Sequence, residues 1–249
     1  DIVDLHWYWN WGQASFESWR TRTPMTTDSQ FSATGRTYAD EIRAFKDMVR
    51  SLGYDHIELA SHEWNVGPSP ESATISGYVH ALITGEMMLQ FAGGGLHSAC
   101  MWPFQWVWDR ERTLRELEAG TYKPPRLANR SIISQKPPHE PLPALETFTL
   151  FGRMLGGRVI GTACTVRDMP TLAVRQGRTW LVYLLDKSGA ERALRVQFAQ
   201  SGEGIRTVRF EAVTTTDVLS NTCAVERGRC QWNQDSCEFT LKPFSMALL

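Results

Sequence analysis

A single carboxylate stands where a predicted strand ends, with an indole and an amide beside it. Residues 55–61 are rich in strand-forming types, and Glu63 follows them, flanked by Trp64 and Asn65, before Gly67 ends regular pairing. A retaining glycosidase uses such a carboxylate as its nucleophile and pairs it with a second carboxyl group about 5 Å away as acid/base. We therefore predict that Glu63 is a catalytic nucleophile. The alternative is an ordinary loop carboxylate without a chemical role.

The partner carboxyl group is harder to place. Within this sequence, only loop residues such as Asp28, Asp109 and Glu111 could bring a second carboxylate near Glu63. Glu58 is a weaker alternative for the nucleophile, because it falls in the middle of the predicted strand, where its side chain would point into a barrel interior or toward helices. The sequence therefore predicts one catalytic residue and leaves its partner open.

His6 and Tyr8 form a second candidate pair, at the end of a short strand predicted from residue 1 onward. Because they are two residues apart in an extended segment, they project to the same side. A tyrosine hydroxyl that donates to a carboxylate keeps that carboxylate ionised and oriented. We expect Tyr8 to do this for Glu63, and His6 to bind the sugar or to orient the same carboxylate. A satisfied structural role is the alternative for His6.

Tryptophan is concentrated in the first half of the chain, in bursts that follow predicted strands. Flat indole rings pack well against the C–H faces of sugars, so Trp102 is predicted to form the floor on which the reacting sugar stacks. Trp7 and Trp64 are predicted to bind substrate as well. The same platform would be extended by Trp9, Trp11, Trp106 and Trp108. Alternatively, about half of these rings fill the space between loops.

The elements that carry these residues alternate between strand and helix. Apolar positions at helical spacing and the local charge pattern predict helices over residues 37–52, 74–92, 109–118 and 144–155. A third strand is predicted over residues 96–101, and residues 12–36 are predicted to be loop. This alternation indicates a parallel sheet, in which the loops after the strands carry the active residues.

Beyond residue 157 the chain changes to short strand-forming runs separated by turns. The predicted strands cover residues 158–166, 171–175, 179–186, 194–198, 207–213 and 238–249. Several strands at this spacing indicate an antiparallel β-sandwich. We therefore predict two domains, residues 1–156 and residues 157–249. The second is predicted to be a scaffold with Trp180 and Trp232 in its core.

Charge and composition limit the possible partners. The 249-residue chain has a formal net charge of −1, so it lacks the concentrated basic face that nucleic acid or an anionic membrane would require. No run of about 18 apolar residues predicts a membrane span. A disulfide among Cys223, Cys230 and Cys237 is plausible and would suit an exported protein. Their spacing matches no zinc signature, and we expect no metal.

Taken together, these motifs resemble those of the clan A glycoside hydrolases, which are retaining enzymes built on a (β/α)8 barrel. In that clan a nucleophile glutamate ends strand seven and is often followed by Trp-Asn, as in residues 63–65. A His-x-Tyr element ends strand six, as in residues 6–8, and a tryptophan ends strand eight, as Trp102 does here. The resemblance implies an α/β plus all-β fold: the last three β/α units of a (β/α)8 TIM barrel followed by a C-terminal antiparallel β-sandwich. It also implies that Asn65 contacts the substrate.

The aromatic segment of residues 6–12 looks most like the agarase and porphyranase group, family 86. This likeness implies retaining hydrolysis of a β-linked polysaccharide, such as agarose or porphyran, outside the cytoplasm, in a secreted or periplasmic protein. In the clan, the acid/base is a glutamate after an asparagine at the end of strand four. A chain that begins at strand six does not contain it.

We therefore expect a C-terminal fragment that has little or no activity alone. Its missing amino-terminal barrel half, or a partner chain, would supply the acid/base. No cofactor is expected, because two carboxyl groups suffice for this reaction. The alternative function is a carbohydrate-binding remnant that keeps the aromatic platform and performs no chemistry. A second carboxylate near Glu63 would distinguish the two.

Overall fold

The fold, taken from a computed structural model, combines a small parallel sheet, a larger antiparallel sheet and five α-helices among the described residues. The structure describes residues 1–27, 35–70, 75–106, 109–122, 129–135, 137–198, 207–233 and 235–249. Asp28 and Trp108, two of the candidate site residues, lie outside the described residues. Across these ranges, no helix is both long enough and apolar enough to cross a membrane.

The parallel sheet contains three strands in the order β1 (Ile2–Trp9), β2 (Glu58–Val66) and β3 (Ser98–Met101). All pairings within it are parallel, as the sequence pattern predicts. Parallel neighbours need a crossover connection, and helices supply it here. The described part of the first crossover contains α1 (Phe16–Thr21) and α2 (Tyr38–Ser51), which leads into β2. The predicted loop over residues 12–36 therefore misses α1.

The second crossover is α3 (Gly77–Gly94), which the sequence predicts over residues 74–92. The Ser76 hydroxyl accepts a hydrogen bond from the Val79 backbone N–H and so starts the helix, and Gly95 ends it in the left-handed conformation. The sequence predicts one apolar face, but α3 is buried on nearly every side. It packs against α2, against both sheets and against the later helix α5 (Pro143–Phe151).

The remaining helices follow β3. The predicted brief helix is confirmed as α4 (Arg110–Glu118), which the Asp109 carboxylate caps by accepting from the Arg112 backbone N–H at 2.9 Å. Helix α5 ends earlier than the predicted residue 155, because its last turn tightens into a 3-10 turn over Gly152–Met154.

The antiparallel sheet contains eight strands, all formed after α5. They are β4 (Arg158–Ile160), β5 (Thr171–Gln176), β6 (Thr179–Leu185), β7 (Arg192–Gln197), β8 (Val208–Thr214), β9 (Ala224–Asn233), β10 (Ser236–Leu241) and β11 (Met246–Leu248). Their spatial order is β4-β5-β6-β11-β8-β9-β10-β7, and every pairing is antiparallel.

Several strands differ from the sequence prediction. β9 was not predicted, because its charged and glycine-containing sequence lacks a regular apolar alternation. The run predicted over residues 238–249 is two strands, since Pro243 and the positive φ of Phe244 turn the chain between β10 and β11. The run predicted over residues 158–166 is a strand only as far as Ile160.

The antiparallel sheet is curled. The first part of β9 pairs with β8 and its last three residues pair with β10, so the sheet bends along this one strand. The bend brings apolar residues of β7 and β10, such as Leu194 and Leu241, against those of β5 and β6, such as Ala173 and Leu184. This second core is consistent with the predicted β-sandwich. All five cysteine thiols are free, so the expected disulfide is not formed.

The two sheets share the main core. Its buried residues include Leu59 and Leu82 from the first part of the chain and Tyr183 and Val213 from the second. The predicted division at residue 157 therefore separates two kinds of sheet that are packed on one another through α3. That the two parts are separate domains stays a prediction.

A fully buried ion pair crosses this shared core. Lys187, at the end of β6, donates to Glu86 of α3 at 2.7 Å, and both side chains have no exposed surface. The same carboxylate accepts hydrogen bonds from the Trp19 indole N–H at 2.7 Å and the Met25 backbone N–H at 2.8 Å. Lys187 also donates to the Arg22 carbonyl at 2.6 Å. The pair thus ties three chain segments together.

Removing one member of this pair should destabilise the whole chain. In Lys187→Met, Glu86 would keep its buried charge without a counterion, and the free energy of unfolding should fall by about 3–5 kcal/mol. Urea denaturation followed by tryptophan fluorescence measures this change.

Lys242→Met is the matched control, because Lys242 pairs with Glu226 while about half exposed. Its loss should be about 1 kcal/mol or less, since solvent screens the pair. A Lys187→Met loss as small as that of the control would contradict a role of the buried pair in stability.

Candidate functional site

Glu63 lies inside a strand and not after one, because β2 continues to Val66. The direction of the Glu63 side chain depends on an irregularity in the pairing of β1 with β2. Asp4 of β1 is opposite Ala60, whereas His6 is opposite Glu63. Asp4 and His6 share a face because they are two residues apart. Ala60 and Glu63 must therefore share that face although they are three apart, which requires one extra residue in β2. This bulge turns Glu63 to the open face of the sheet.

Tyr8 and His6 reach Glu63 from the neighbouring strand. Both lie within β1 and not beyond its end as predicted. The Tyr8 hydroxyl donates to Glu63 Oε1 at 2.6 Å, and His6 Nδ1 lies 3.5 Å from Glu63 Oε2. Burial, followed by the nearby Glu63 carboxylate, raises the pKa of Tyr8 above its ordinary value. The hydroxyl therefore stays protonated and remains a hydrogen-bond donor.

A second carboxylate that the sequence analysis missed lies on the same face. Asp4 Oδ1 accepts from the His62 backbone N–H at 2.8 Å, and Asp4 Oδ2 lies 3.3 Å from His6 Nε2. The His6 ring therefore stands between the Asp4 and Glu63 carboxylates. The alternation of Asp4, His6 and Tyr8 along β1 was a signal that could have identified Asp4.

The charge state of Asp4 restricts what it can do. The hydrogen bond from the His62 backbone is the largest cause that lowers the Asp4 pKa. Burial opposes it, and both histidine rings lower the pKa further. A carboxylate that is held ionised is a poor proton donor. Asp4 is therefore suited to orient His6 and not to act as the catalytic acid.

Three of the candidate tryptophans belong to the core. Trp64 is 1% exposed and Trp9 is fully buried. The Trp64 ring meets Phe91 of α3 edge-on at 5.2 Å between centroids, and Trp7 stacks on the same ring at 5.7 Å. Strand alternation sends these indoles away from the face that carries Glu63. The structure therefore contradicts the predicted sugar contacts of Trp7 and Trp64.

Asn65 is also buried, which contradicts its predicted contact with substrate. Its Nδ2 donates to the Trp102 carbonyl at 2.7 Å and to the Arg130 carbonyl at 3.0 Å. Its Oδ1 accepts from the Val66 backbone N–H at 2.7 Å and lies 2.8 Å from His80 Nε2. Asn65 therefore fixes the end of β3, and with it the start of the Trp102 loop, relative to β2.

The indoles that stay at the open face come from the loops after the strands. Trp102 follows β3 and is 46% exposed, and the Trp106 ring meets it edge-on at 4.8 Å between centroids. Trp11 is 39% exposed and meets the Tyr8 ring edge-on at 5.2 Å. The predicted role of Trp102 as a stacking floor is compatible with this exposure and stays a prediction.

The other candidate carboxylates are engaged elsewhere or lie outside the described residues. Asp109 caps α4, and Glu111 is an exposed residue of the same helix. Glu58 begins β2, at the opposite end of the strand from the site, with its carboxylate 3.9 Å from Lys46 Nζ. Asp28 belongs to the undescribed part. The described face thus offers Glu63 as its chemical centre.

Metal binding can be assessed only for the described ranges. In these ranges, no group of three or more histidine, cysteine, aspartate or glutamate side chains is placed to hold a metal ion. The expectation that the chemistry needs neither metal nor organic cofactor stays a prediction.

Comparison with protein-family models and with curated proteins gives no match to this sequence. Solved structures do match. CelM2, a bifunctional glucanase-xylanase from a metagenome library, aligns with 100% of this chain and 43% of its own, at a TM-score of 0.60 and 14% identity. A β-porphyranase of glycoside hydrolase family 86 from the human gut bacterium Bacteroides plebeius aligns with 100% of this chain and 40% of its own. The TM-score is 0.59 and the sequence identity is 11%. BuGH86 in complex with neoagarooctaose aligns with 100% of this chain and 38% of its own, at a TM-score of 0.60 and 12% sequence identity.

These structural neighbours are clan A glycoside hydrolases, and they include families 30, 44 and 51 as well as 86. At this identity the likeness shows the fold alone, a glycoside hydrolase barrel with a curled antiparallel sheet. This chain spans about two fifths of the length of the three structures named above.

The network beneath the site predicts a pH dependence of stability. Burial, with a smaller contribution from the charge of Arg130, lowers the pKa of His80 to about 3. An unfolded histidine takes up its proton near pH 6.5. Between those values the unfolded state binds more protons than the folded state. The free energy of unfolding should therefore fall as the pH falls from 6.5 toward 3, with a His80 contribution of up to about 1.4 kcal/mol per pH unit.

His80→Gln keeps an amide donor toward Asn65 but removes the titrating group. Urea denaturation at pH 7 and pH 4.5 should give a smaller loss of stability on acidification than in the unmodified chain. His97→Gln, at an exposed position, is the control and should keep the full loss. An unchanged pH dependence in His80→Gln would show that another group is responsible.

Proposed function

We propose that this chain carries the nucleophile half of a retaining glycoside hydrolase that acts on β-linked polysaccharides. The proposal rests on the Glu63 carboxylate, which accepts from the Tyr8 hydroxyl at 2.6 Å and has His6 at 3.5 Å. This group lies on the open face of three parallel strands, beside a loop that presents Trp102. The glycoside hydrolase fold of the structural neighbours supports it.

Each residue has a role in the proposed reaction. Glu63 attacks the anomeric carbon, the bond to the leaving oxygen breaks, and a covalent glycosyl ester forms on the carboxylate. The Tyr8 hydroxyl holds one carboxylate oxygen in place before attack. Asp4 orients the His6 ring, which either steadies the second oxygen or binds a sugar hydroxyl. Trp102 supplies an apolar face for the sugar ring.

The reaction also needs a proton donor for the leaving oxygen. Asp4 is held ionised, and the described face brings no other carboxylate into contact with Glu63 or its two partners. We therefore propose that barrel strands outside this sequence, in a longer protein or in a partner chain, supply the acid/base. The neighbours, which are more than twice as long as the aligned chain, are compatible with this proposal.

We propose a galactan of the agarose or porphyran type as the substrate. The support is the presence of a β-porphyranase and of a neoagarooctaose complex among the neighbours, together with the exposed indoles of Trp11 and Trp102. A polysaccharide cannot cross a membrane unaided, so the protein would act as a secreted or periplasmic enzyme. The second candidate is a carbohydrate-binding remnant, which the same indoles would serve without chemistry.

An activated substrate can test Glu63 without the missing acid. Dinitrophenolate leaves without protonation, so 2,4-dinitrophenyl 2-deoxy-2-fluoro-β-glycosides should glycosylate this chain once, on Glu63. Mass spectrometry of proteolytic peptides, after incubation with the galactoside, glucoside and xyloside, locates the label. The unactivated polysaccharide should not be hydrolysed by this chain alone.

Glu63→Gln should not be labelled, whereas Glu58→Gln, which changes a carboxylate on the same strand, should be labelled normally. Label on another residue, or no label with any of the three sugars, would contradict the nucleophile assignment. The remnant function predicts unlabelled protein that still binds neoagaro-oligosaccharides in calorimetry.

Tyr8→Phe tests the hydrogen bond that holds Glu63. Loss of a hydrogen bond to a charged group costs about 1.5–3 kcal/mol, and we expect labelling to slow by about tenfold or more. Tyr54→Phe changes an exposed tyrosine remote from the sheet face and should leave the rate unchanged. Equal rates in the two variants would show that Tyr8 does not position Glu63.

A further inference from the structure

A second concave site lies in the curled antiparallel sheet. The short strand β11 separates β6 from β8 only over part of their length, and its last pairing is of Leu248 with Tyr183 and Glu211. Beyond it, the amino-terminal ends of β6 and β8 border a cleft of about 790 Å³. This volume lies within the range of about 300–1,000 Å³ that is typical of ligand sites.

The cleft is strongly basic although the whole chain has a net charge of −1. The charged side chains that line it are Arg153, Arg175, Arg178, Arg209, Arg227 and Glu211. The lining thus contains five guanidinium groups and one carboxylate. Glu211 accepts from Arg153 at 3.0 and 3.1 Å and from Arg227 at 3.2 and 3.5 Å. It therefore neutralises only part of the charge.

Two of the arginines have no side-chain partner among the described residues. Within the part of the chain that the structure describes, neither Arg178 nor Arg209 forms an ion pair or a side-chain hydrogen bond, and both are exposed. Arg175 donates to the Gly177 carbonyl at 3.1 Å and lies over the Trp180 ring at 5.6 Å. Free guanidinium groups along a cleft present paired N–H donors that match the oxygens of a sulfate or a carboxylate.

Aromatic side chains form another part of the wall. Trp180 is 36% exposed, which contradicts its predicted place in the core, and Phe198 meets it edge-on at 5.4 Å between ring centroids. Trp232 continues the row at 5.5 Å from Phe198. Of these aromatic residues, Trp180 and Phe198 line the cleft, and together with Phe210 they give it apolar surfaces beside its positive charges.

We propose that this cleft binds an anionic polysaccharide, whose sulfate or carboxylate groups pair with the arginines while its sugar rings contact Trp180 and Phe210. The inference rests on the proposed function only in taking the ligand to be a polysaccharide. A neutral glycan would leave the guanidinium groups without partners. The cleft would hold the chain of the substrate at a place separate from Glu63, since its lining residues all follow α5.

Binding of defined polymers tests the proposal. The probes are fluorescein-labelled dextran sulfate, polygalacturonate and neutral dextran, with a single-stranded oligonucleotide as a non-sugar polyanion, all at about 0.15 M salt to limit long-range attraction. We expect dextran sulfate, polygalacturonate or both to bind, and neutral dextran not to bind through this cleft. Comparison of the two anionic glycans shows whether sulfate or carboxylate is the preferred group.

Arg178→Ala combined with Arg209→Ala should raise the Kd for the preferred polymer by about tenfold or more, because two charge-assisted contacts are lost. Arg167→Ala combined with Arg195→Ala removes the same charge at two positions that do not line the cleft, and should change the Kd by less than about twofold. Replacing Arg178 and Arg209 by lysine should give an intermediate Kd, since lysine keeps the charge without the paired donors.

Three results would overturn the proposal: equal losses in the alanine pair and the control pair, tighter binding of the oligonucleotide than of either anionic glycan, or no binding of either glycan. Failure of Glu63 to be glycosylated would leave the cleft result intact.

Discussion

The structure depends on a helix that has almost no solvent face. Of the eighteen residues of α3, fifteen are buried, because the parallel sheet lies on one side and the curled sheet on another. Polar side chains on a helix in this position find their hydrogen-bond partners mainly within the protein. Glu86 does so with Lys187 and the Trp19 indole, and Gln90 donates to the Met25 carbonyl at 2.8 Å. These contacts fix the segment after β1 and the end of β6 to one helix.

The same helix supports the candidate site from below. His80 of α3 contacts Asn65, which in turn holds the carbonyl of Trp102. The open face therefore rests on a buried polar network, whereas its chemical groups come from the bulge that turns Glu63 toward Tyr8. Because the Asn65 amide uses both its nitrogen and its oxygen in hydrogen bonds, its side chain is held in one orientation. This rigidity keeps the loop of Trp102 at a constant position relative to the carboxylate, as catalysis by orientation requires.

The sequence was sufficient to predict the strand–helix order and the contact of Tyr8 with Glu63, because alternation along β1 and the position of a carboxylate near the end of β2 are local signals. It was not sufficient for the environment of the tryptophans. Trp7 and Tyr8 are adjacent, yet one ring stacks on Phe91 in the core and the other faces the site. The bulge that exposes Glu63 and buries Trp64 is a property of pairing between strands, which no single segment encodes.

The surroundings of the carboxylates on the open face support the proposal that the acid/base comes from outside this sequence. A retaining enzyme needs one carboxyl group ionised and the other protonated, and different surroundings produce that difference. Here the hydrogen bond from the His62 backbone holds the pKa of Asp4 below its ordinary value, and Glu63 accepts a hydrogen bond from Tyr8. In the proposed reaction this face supplies the attacking carboxylate, Glu63. In that proposal Asp4 does not deliver the proton, and the acid is expected from strands outside this sequence.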